Sequence, residues 1–343
     1  MLLCTVNIQS FAYSVSLRDG SQALKNAFVS DQGPKAGKFA IDYCYYSPVK
    51  ENDSAKYPLV IWLHGKGDGA YKGKQIQKSN ICNWVSSEYQ SRFAGTQGAF
   101  IFAPRSPEEK LVYWDESTVY PLRAAIDDFI SKHKNNIDVT RIYIGGYSMG
   151  GKMTLKMAVA YPEMFAAAFP ICPAWTPSAT EASLMRNIPV WLTSGKNDPL
   201  VNYSAMIIPT WNNILKSSNV AADCRLSTLQ KVKYADGKRP SSAHFSWFSV
   251  NNDMFSASDG DYPDMSTVNG KGEKVTLTFP SGMIAWLSQF SSDFSGETAR
   301  DSGNLTVVVN NICSVEKLLK FLNKVGGSFD EIISNLSLIY TQQ

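Results

Sequence analysis

The chain has 343 residues, a formal net charge of +3, 44% hydrophobic and 18% charged residues. So even a charge balance, with no basic cluster longer than a few residues, argues against nucleic-acid or membrane-surface partners, and no apolar run approaches transmembrane length. The apolar content supports one large α/β domain with appendages, or two domains. Met1–Gln9 lacks a charged n-region and a long apolar core, so no signal peptide is predicted. As given, the chain reads as cytoplasmic, or as secreted if a leader precedes it.

In chain order, Tyr13–Leu17 and Ala40–Tyr46 read as antiparallel entry strands. Val60–Leu63, Phe100–Ala103, Ile142–Gly145, Ala167–Ile171 and Val190–Thr193 are short apolar runs typical of buried parallel strands. Helical stretches fall between them at Asn80–Arg92, Tyr120–Lys132, Lys152–Tyr161 and Tyr203–Ser217. Leu226–Tyr234 reads as the last strand and Pro280–Phe290 as the final helix of the domain. Strands alternating with helices imply a mostly parallel central sheet covered by helices on both faces. Beyond Ser295, Leu305–Val309 is strand-like and Ser314–Val325 is amphipathic. The expected division is a catalytic domain over 1–294, with an insertion at about 251–276, and a C-terminal extension over 295–343.

Gly146-Tyr147-Ser148-Met149-Gly150 follows one of these strands and precedes a helix-forming run. That is the context of the G-x-S-x-G nucleophile elbow, in which a serine stands on a sharp strained turn with glycines leaving room for strand and helix. A serine hydroxyl needs a base, and the base needs an orienting acid. The chain holds three histidines. His133 sits at a polar helix end and reads as solvated. His64 opens the Gly-rich loop His64-Gly65-Lys66-Gly67-Asp68-Gly69, where its side chain props the loop. His244 is therefore the candidate base by elimination. Asp198, just past the strand at Val190–Thr193, is the candidate acid, with a turn-capping Asp before Pro as the bland alternative. The order Ser148, Asp198, His244 is that of an α/β hydrolase. Backbone N–H groups of Met149 and of Lys66, with Gly67 beside it, are the candidate oxyanion hole, because fixed dipoles suffice for that task. The Gly-rich loop lacks the Lys-Ser/Thr of a phosphate-binding loop.

From about Tyr45 to Gln289 the chain resembles the esterase and "predicted peptidase" branch of the α/β hydrolases, near feruloyl esterases, polyhydroxybutyrate depolymerases and prolyl-oligopeptidase-like enzymes. The resemblance rests on Tyr57–Gly65, Ala103-Pro104-Arg105, Asp138–Gly151, Ala160–Ala168, Gly195–Asp198 and His244–Trp247. It implies a serine hydrolase of carboxylic esters, with feruloyl or acetyl esters of plant polysaccharides as the substrate class, and no cofactor. A serine peptidase and a hydrolase-fold binding protein without turnover remain as alternatives. The chain departs from the pattern after His244, where the Asp- and Gly-rich segment Asn251–Thr276 intervenes. Few apolar residues there predict a surface loop that starts at the mouth of the site and borders the cleft, with a solvated excursion running away from the cleft as the alternative. The spacing of its aspartates does not match an EF-hand.

Tyr147, Trp175 and Trp247 are candidate substrate-lining aromatics, with Phe245 and Trp114 as further ones; core packing is the competing role for each. Six scattered cysteines contain no C-x-x-C pair, which makes zinc unlikely; Cys44 and Cys172 read as buried thiols. The partner expected is a small-molecule or polysaccharide-linked ester. Oligomeric state is not legible.

Overall fold

The computed structural model describes residues 22–51, 53–77, 81–107, 113–232, 240–253, 265–277 and 282–296. Nine strands form one sheet: β1 (Val29–Ala36), β2 (Phe39–Tyr46), β3 (Tyr57–Leu63), β4 (Phe100–Pro104), β5 (Ile137–Tyr147), β6 (Ala167–Ile171), β7 (Trp191–Gly195), β8 (Arg225–Leu229) and β9 (Met265–Asn269). Their order is β1-β2-β4-β3-β5-β6-β7-β8-β9. β3 to β8 run parallel, while β1 and β2 at one edge and β9 at the other are antiparallel. Every residue of β3, β4, β6 and β7 is buried. Mostly apolar runs form β3, β4 and β6 because a parallel strand must satisfy two covered faces, while β7 buries the polar Thr193 and Ser194 after Trp191 and Leu192.

The helices are α1 (Gln22–Asn26), α2 (Lys74–Gln77), α3 (Ser87–Gln90), α4 (Val119–Lys132), α5 (Met149–Ala160), α6 (Ala179–Leu184), α7 (Ile208–Ser217), α8 (Trp247–Asn251) and α9 (Met283–Leu287). α4 buries Leu122, Ala125, Ile126 and Phe129 at helical spacing, so one stripe meets the sheet. α5 follows β5 directly and covers the same face. The opposite face is covered by aromatic stacking. Trp84 lies over Phe169 of β6 at 5.8 Å and 17°, and Trp286 of α9 meets Trp191 of β7 edge-on at 5.3 Å. This is the α/β-hydrolase architecture. No helix among the described residues is long and apolar enough to cross a membrane.

Several expectations are corrected. The region Asn80–Arg92 is not one helix but a 3₁₀ turn at Ile81–Val85 and the short α3, capped by Ser86. Tyr203–Ser217 likewise divides into a π-helical turn and α7. β1 and α6 were not foreseen, because β1 is polar and largely exposed and α6 is two turns at most. His133 is not a freely solvated helix end. Its ring packs on Phe129, Tyr45 and Phe100 at 4.5–5.3 Å, and burial lowers its pKa. Cys44, Cys82, Cys172 and Cys224 are buried. Tyr13–Leu17, Leu305–Val309 and Ser314–Val325 lie outside the described residues.

The segment after His244 is not wholly a surface loop. Residues Met265–Asn269 pair with β8 as edge strand β9, so the sheet's exposed ladder there is satisfied by the insertion itself. Its first residues are buried. Asp253, at φ 56° and with no exposure, accepts from Arg92 Nη1 at 2.8 Å and from the Ile284 amide at 2.8 Å. It thereby ties the segment to the first turn of α9. Residues 254–264, including Asp259, Asp261 and Asp264, lie outside the described residues. Asp253→Ala is expected to destabilise the fold by about 3–5 kcal/mol, since it strips the buried Arg92 of one carboxylate and leaves the α9 amide unpaired. Equilibrium denaturation measures this; a loss under about 1 kcal/mol would show that Glu88, 2.7 Å from Arg92 Nη2, carries the guanidinium alone.

Candidate active site

Five adjacent strands deliver their carboxyl ends to one place. β3 ends at the His64–Gly69 loop, β5 at Ser148, β6 at Cys172, β7 at Asp198 and β8 leads towards His244. The carboxyl edge of a parallel sheet is where this architecture places its ligands. Ser148 stands at φ 56° and ψ −116°, a left-handed conformation that a non-glycine residue adopts only where its surroundings enforce it. The enforcement is visible. The Ser148 amide donates to Ile171 O at 2.9 Å, and its carbonyl accepts from the Ala174 and Lys152 amides at 3.0 and 2.9 Å. Gly150 lies so close to the Leu63 carbonyl that any Cβ there would collide with backbone. The first turn of α5 can therefore press onto β3 only with glycine at this position.

His244 and Asp198 meet directly. Nδ1 of His244 is 2.7 Å from Oδ2 of Asp198, and the two residues are only 6% and 7% exposed. The other carboxylate oxygen accepts from the Leu200 and Val201 amides at 2.8 and 3.0 Å. Both oxygens of Asp198 are thus fixed, and so is the plane in which it holds the imidazole. Burial works against a charged ring. The Asp198 carboxylate, with the Cys172 thiol, outweighs it, and the pKa of His244 is raised well above its ordinary value. Cys172 is a residue that sequence reading placed only as a buried thiol. Its Sγ is 3.5 Å from the His244 carbonyl oxygen, and it lies within 4.8 Å of ligating atoms of both His244 and Asp198. The segment 171–174 thus touches the nucleophile turn on one side and the histidine on the other. Among the described residues the group Cys172, Asp198 and His244 is also the set whose atoms lie close enough to hold a metal, with Nδ1 of His244 already engaged by Asp198.

The loop after β3 is tightly held. His64 is fully buried, and burial lowers its pKa to about 4. The neutral ring donates from Nδ1 to Gly65 O at 2.7 Å and accepts at Nε2 from the Ser106 amide at 3.0 Å. Trp114 Nε1 donates to His64 O at 3.1 Å, and Trp114 has no exposure, so it belongs to the loop's support. Lys74 Nζ donates to Gly67 O at 2.7 Å. Lys66 is exposed at the apex of this loop, and Gly67 adopts φ 85°. Met149 is the first residue of α5, so its N–H has no partner within the helix.

Residues 45–235, more than half of the chain, match the model of the phospholipase/carboxylesterase family.

The chain belongs to the phospholipase/carboxylesterase family.

It is an esterase-type α/β hydrolase. It is 24% identical over 290 residues to a bifunctional acetylxylan esterase/xylanase of Neocallimastix patriciarum, a match covering 83% of this chain and 38% of that protein. It is 30% identical over 139 residues to a poly(3-hydroxybutyrate) depolymerase of Ralstonia pickettii, covering 36% of this chain and 27% of the other. Feruloyl esterase B of Neurospora crassa is 26% identical over 132 residues, or 36% and 41% of the two chains. The chain spans well under half the length of each of these relatives. The crystal structure of a thermostable esterase superposes with a TM-score of 0.56 at 23% identity, over 78% of this chain and 64% of that one, and shows the same fold.

The three candidate substrate-lining aromatics differ. Trp175 is half-buried beside the nucleophile turn, with Lys156 Nζ 3.7 Å from its ring centroid. Tyr147 and Trp247 are 2% and 5% exposed and stack on each other at 4.0 Å and 28°. Both belong to the floor beneath the loops, because β5 directs Tyr147 to the face opposite α5. Phe245 is partly buried against the same cluster.

Proposed function

We propose that the chain is a serine hydrolase of carboxylic esters, with Ser148, His244 and Asp198 as its triad. The observation that carries this reading is the 2.7 Å His244–Asp198 pair together with the strained serine elbow, both in contact with the segment 171–174. Ser148 Oγ attacks the ester carbonyl while His244 takes its proton. Asp198 fixes the tautomer and stabilises the imidazolium. The Met149 and Lys66 amides, with Gly67 shaping the turn, hold the oxyanion. The imidazolium then protonates the leaving alkoxide, and water, deprotonated by His244, releases the acid from the acyl-enzyme. No step needs a metal or cofactor. Acetyl or feruloyl esters of plant polysaccharides are the proposed substrates, since relatives with such names align here, and the half-buried Trp175 beside the elbow offers an aromatic surface for an acyl or sugar group.

A fluorophosphonate probe with peptide mapping, alongside hydrolysis of aryl acetates, methyl ferulate, acetylated xylan and aminoacyl amides, tests this. Labelling of Ser148 and ester turnover exceeding amide turnover is expected. Labelling elsewhere, or faster amide cleavage, overturns it.

The charge around His244 sets a pH dependence. The base must be neutral, and its proton is held more tightly than in a free imidazole. The kcat/KM for ester hydrolysis should therefore rise with pH through a midpoint above about 6.5. Asp198→Asn removes the carboxylate, and the midpoint of the residual activity should move down by roughly 1–3 pH units. A parent midpoint at or below the ordinary imidazole value would exclude His244 as the base in this electrostatic setting.

A further inference from the structure

We propose that Tyr147 is a positioning residue: through its hydroxyl it latches Asp68 and so fixes the aim of the oxyanion-loop amides relative to Ser148. This rests on the esterase reading above and deepens it. Tyr147 immediately precedes Ser148 on β5, and its hydroxyl donates a hydrogen bond to Asp68 Oδ2. Asp68 closes the turn whose apex carries Lys66 and Gly67, its amide reaching Gly65 O at 3.3 Å. The ring itself is the seat of that turn. A Cβ on Gly65 would lie 2.5 Å from Tyr147 Cε2, so the backbone rests on the aromatic face and needs glycine to do so.

The ring has no freedom to swing away. Trp247 stacks on it at 4.0 Å, and Trp62 packs at 5.7 Å. Trp247 in turn meets the His244 ring edge-on at 5.6 Å. One aromatic stack therefore joins the histidine, the residue before the nucleophile and the oxyanion loop. Burial and the neighbouring Asp68 carboxylate hold the Tyr147 pKa well above its normal value, so the phenol remains a donor.

Other anchors hold the loop from outside the nucleophile strand, among them His64 at Gly65 O, Lys74 at Gly67 O, Arg105 Nη1 at Gly69 O and Trp114 at His64 O. Tyr147 differs because it is covalently adjacent to Ser148. An oxyanion hole divided between two chain segments works only if both keep their register, since donors aimed at a developing charge lose most of their effect when displaced by about 1 Å.

The test uses the full chain. Tyr147→Phe keeps the stacked ring and removes only the latch. Expected is a fall in kcat of about tenfold to a hundredfold with KM within about twofold, and a matching fall in the rate of Ser148 phosphonylation, because the phosphonyl oxygen occupies the same hole. Asp68→Ala should lose as much. Asp68→Asn should recover most of it, because the amide oxygen still accepts from the phenol. Tyr147→Phe/Asp68→Ala should be no worse than the poorer single variant. Parental kcat and phosphonylation in Tyr147→Phe, a change confined to KM, or additive losses in the double variant would overturn the latch. If Tyr147→Phe does not fold, the comparison of Asp68→Ala with Asp68→Asn decides the matter with the ring untouched. A parent that neither hydrolyses esters nor takes the probe at Ser148 removes the esterase reading and the latch together. A parent that does both while Tyr147→Phe equals it removes the latch alone.

Discussion

Ser148→Ala is expected to lower ester hydrolysis by roughly 10⁴-fold or more while leaving the thermal midpoint close to that of the parent. The reason lies in what the residue does at its position. The strained backbone at φ 56° is enforced by the hydrogen bond its amide donates to Ile171 O and by those its carbonyl accepts from the Ala174 and Lys152 amides, all of which alanine keeps. The hydroxyl makes no capping bond to α5, so its loss removes chemistry rather than packing. Initial rates on an aryl acetate, with circular dichroism of the same sample, measure both halves. Residual activity within tenfold of the parent would remove Ser148 from the mechanism.

His244→Ala and Asp198→Asn should each cost about 10³–10⁴-fold in kcat. Asparagine conserves the volume and the acceptor for the Leu200 and Val201 amides. Its NH₂ can turn towards Nδ1 of His244, and then the ring must present its proton on the wrong nitrogen. Because the pair is buried, water does not replace the missing charge. The decisive measurement is single-turnover acylation, which isolates the step in which His244 takes the serine proton. If Asp198→Asn is nearly silent there, another carboxylate orients the base. Asp223 is unsuited to this, since it precedes β8 at the strand's amino end, opposite the carboxyl edge where Asp198 and His244 meet, and Asp236 lies outside the described residues.

Particular elements show what a linear reading can reach. β3, β4 and β6 were legible because burial on both faces demands mostly apolar runs, β7 by the short apolar run Val190-Trp191-Leu192 at its start, α4 because it turns an apolar stripe to the sheet and α5 because its residues are good helix formers. The elbow was legible because glycine spacing, strand and helix are all local. Elimination among three histidines, a place just past a strand and chain order put His244 and Asp198 forward, and they stand 2.7 Å apart. β1 and β9 were not legible. An edge strand is held by its ladder with one neighbour, and the polar residues of Val29–Ala36 carry no record of the partner that pairs with them.

The sequence by itself determined the α/β class, the elbow and the candidate acid and base, because backbone propensity, apolar periodicity and chain order are properties of neighbouring residues. Only the tertiary structure decided that Tyr147 and Trp247 are buried and stacked on each other, that Asp253 is a buried partner of Arg92, and that Cys172 touches His244. These depend on which residues distant in sequence share a face of the sheet. The sheet's strand order sets that, and no local pattern of side chains encodes it.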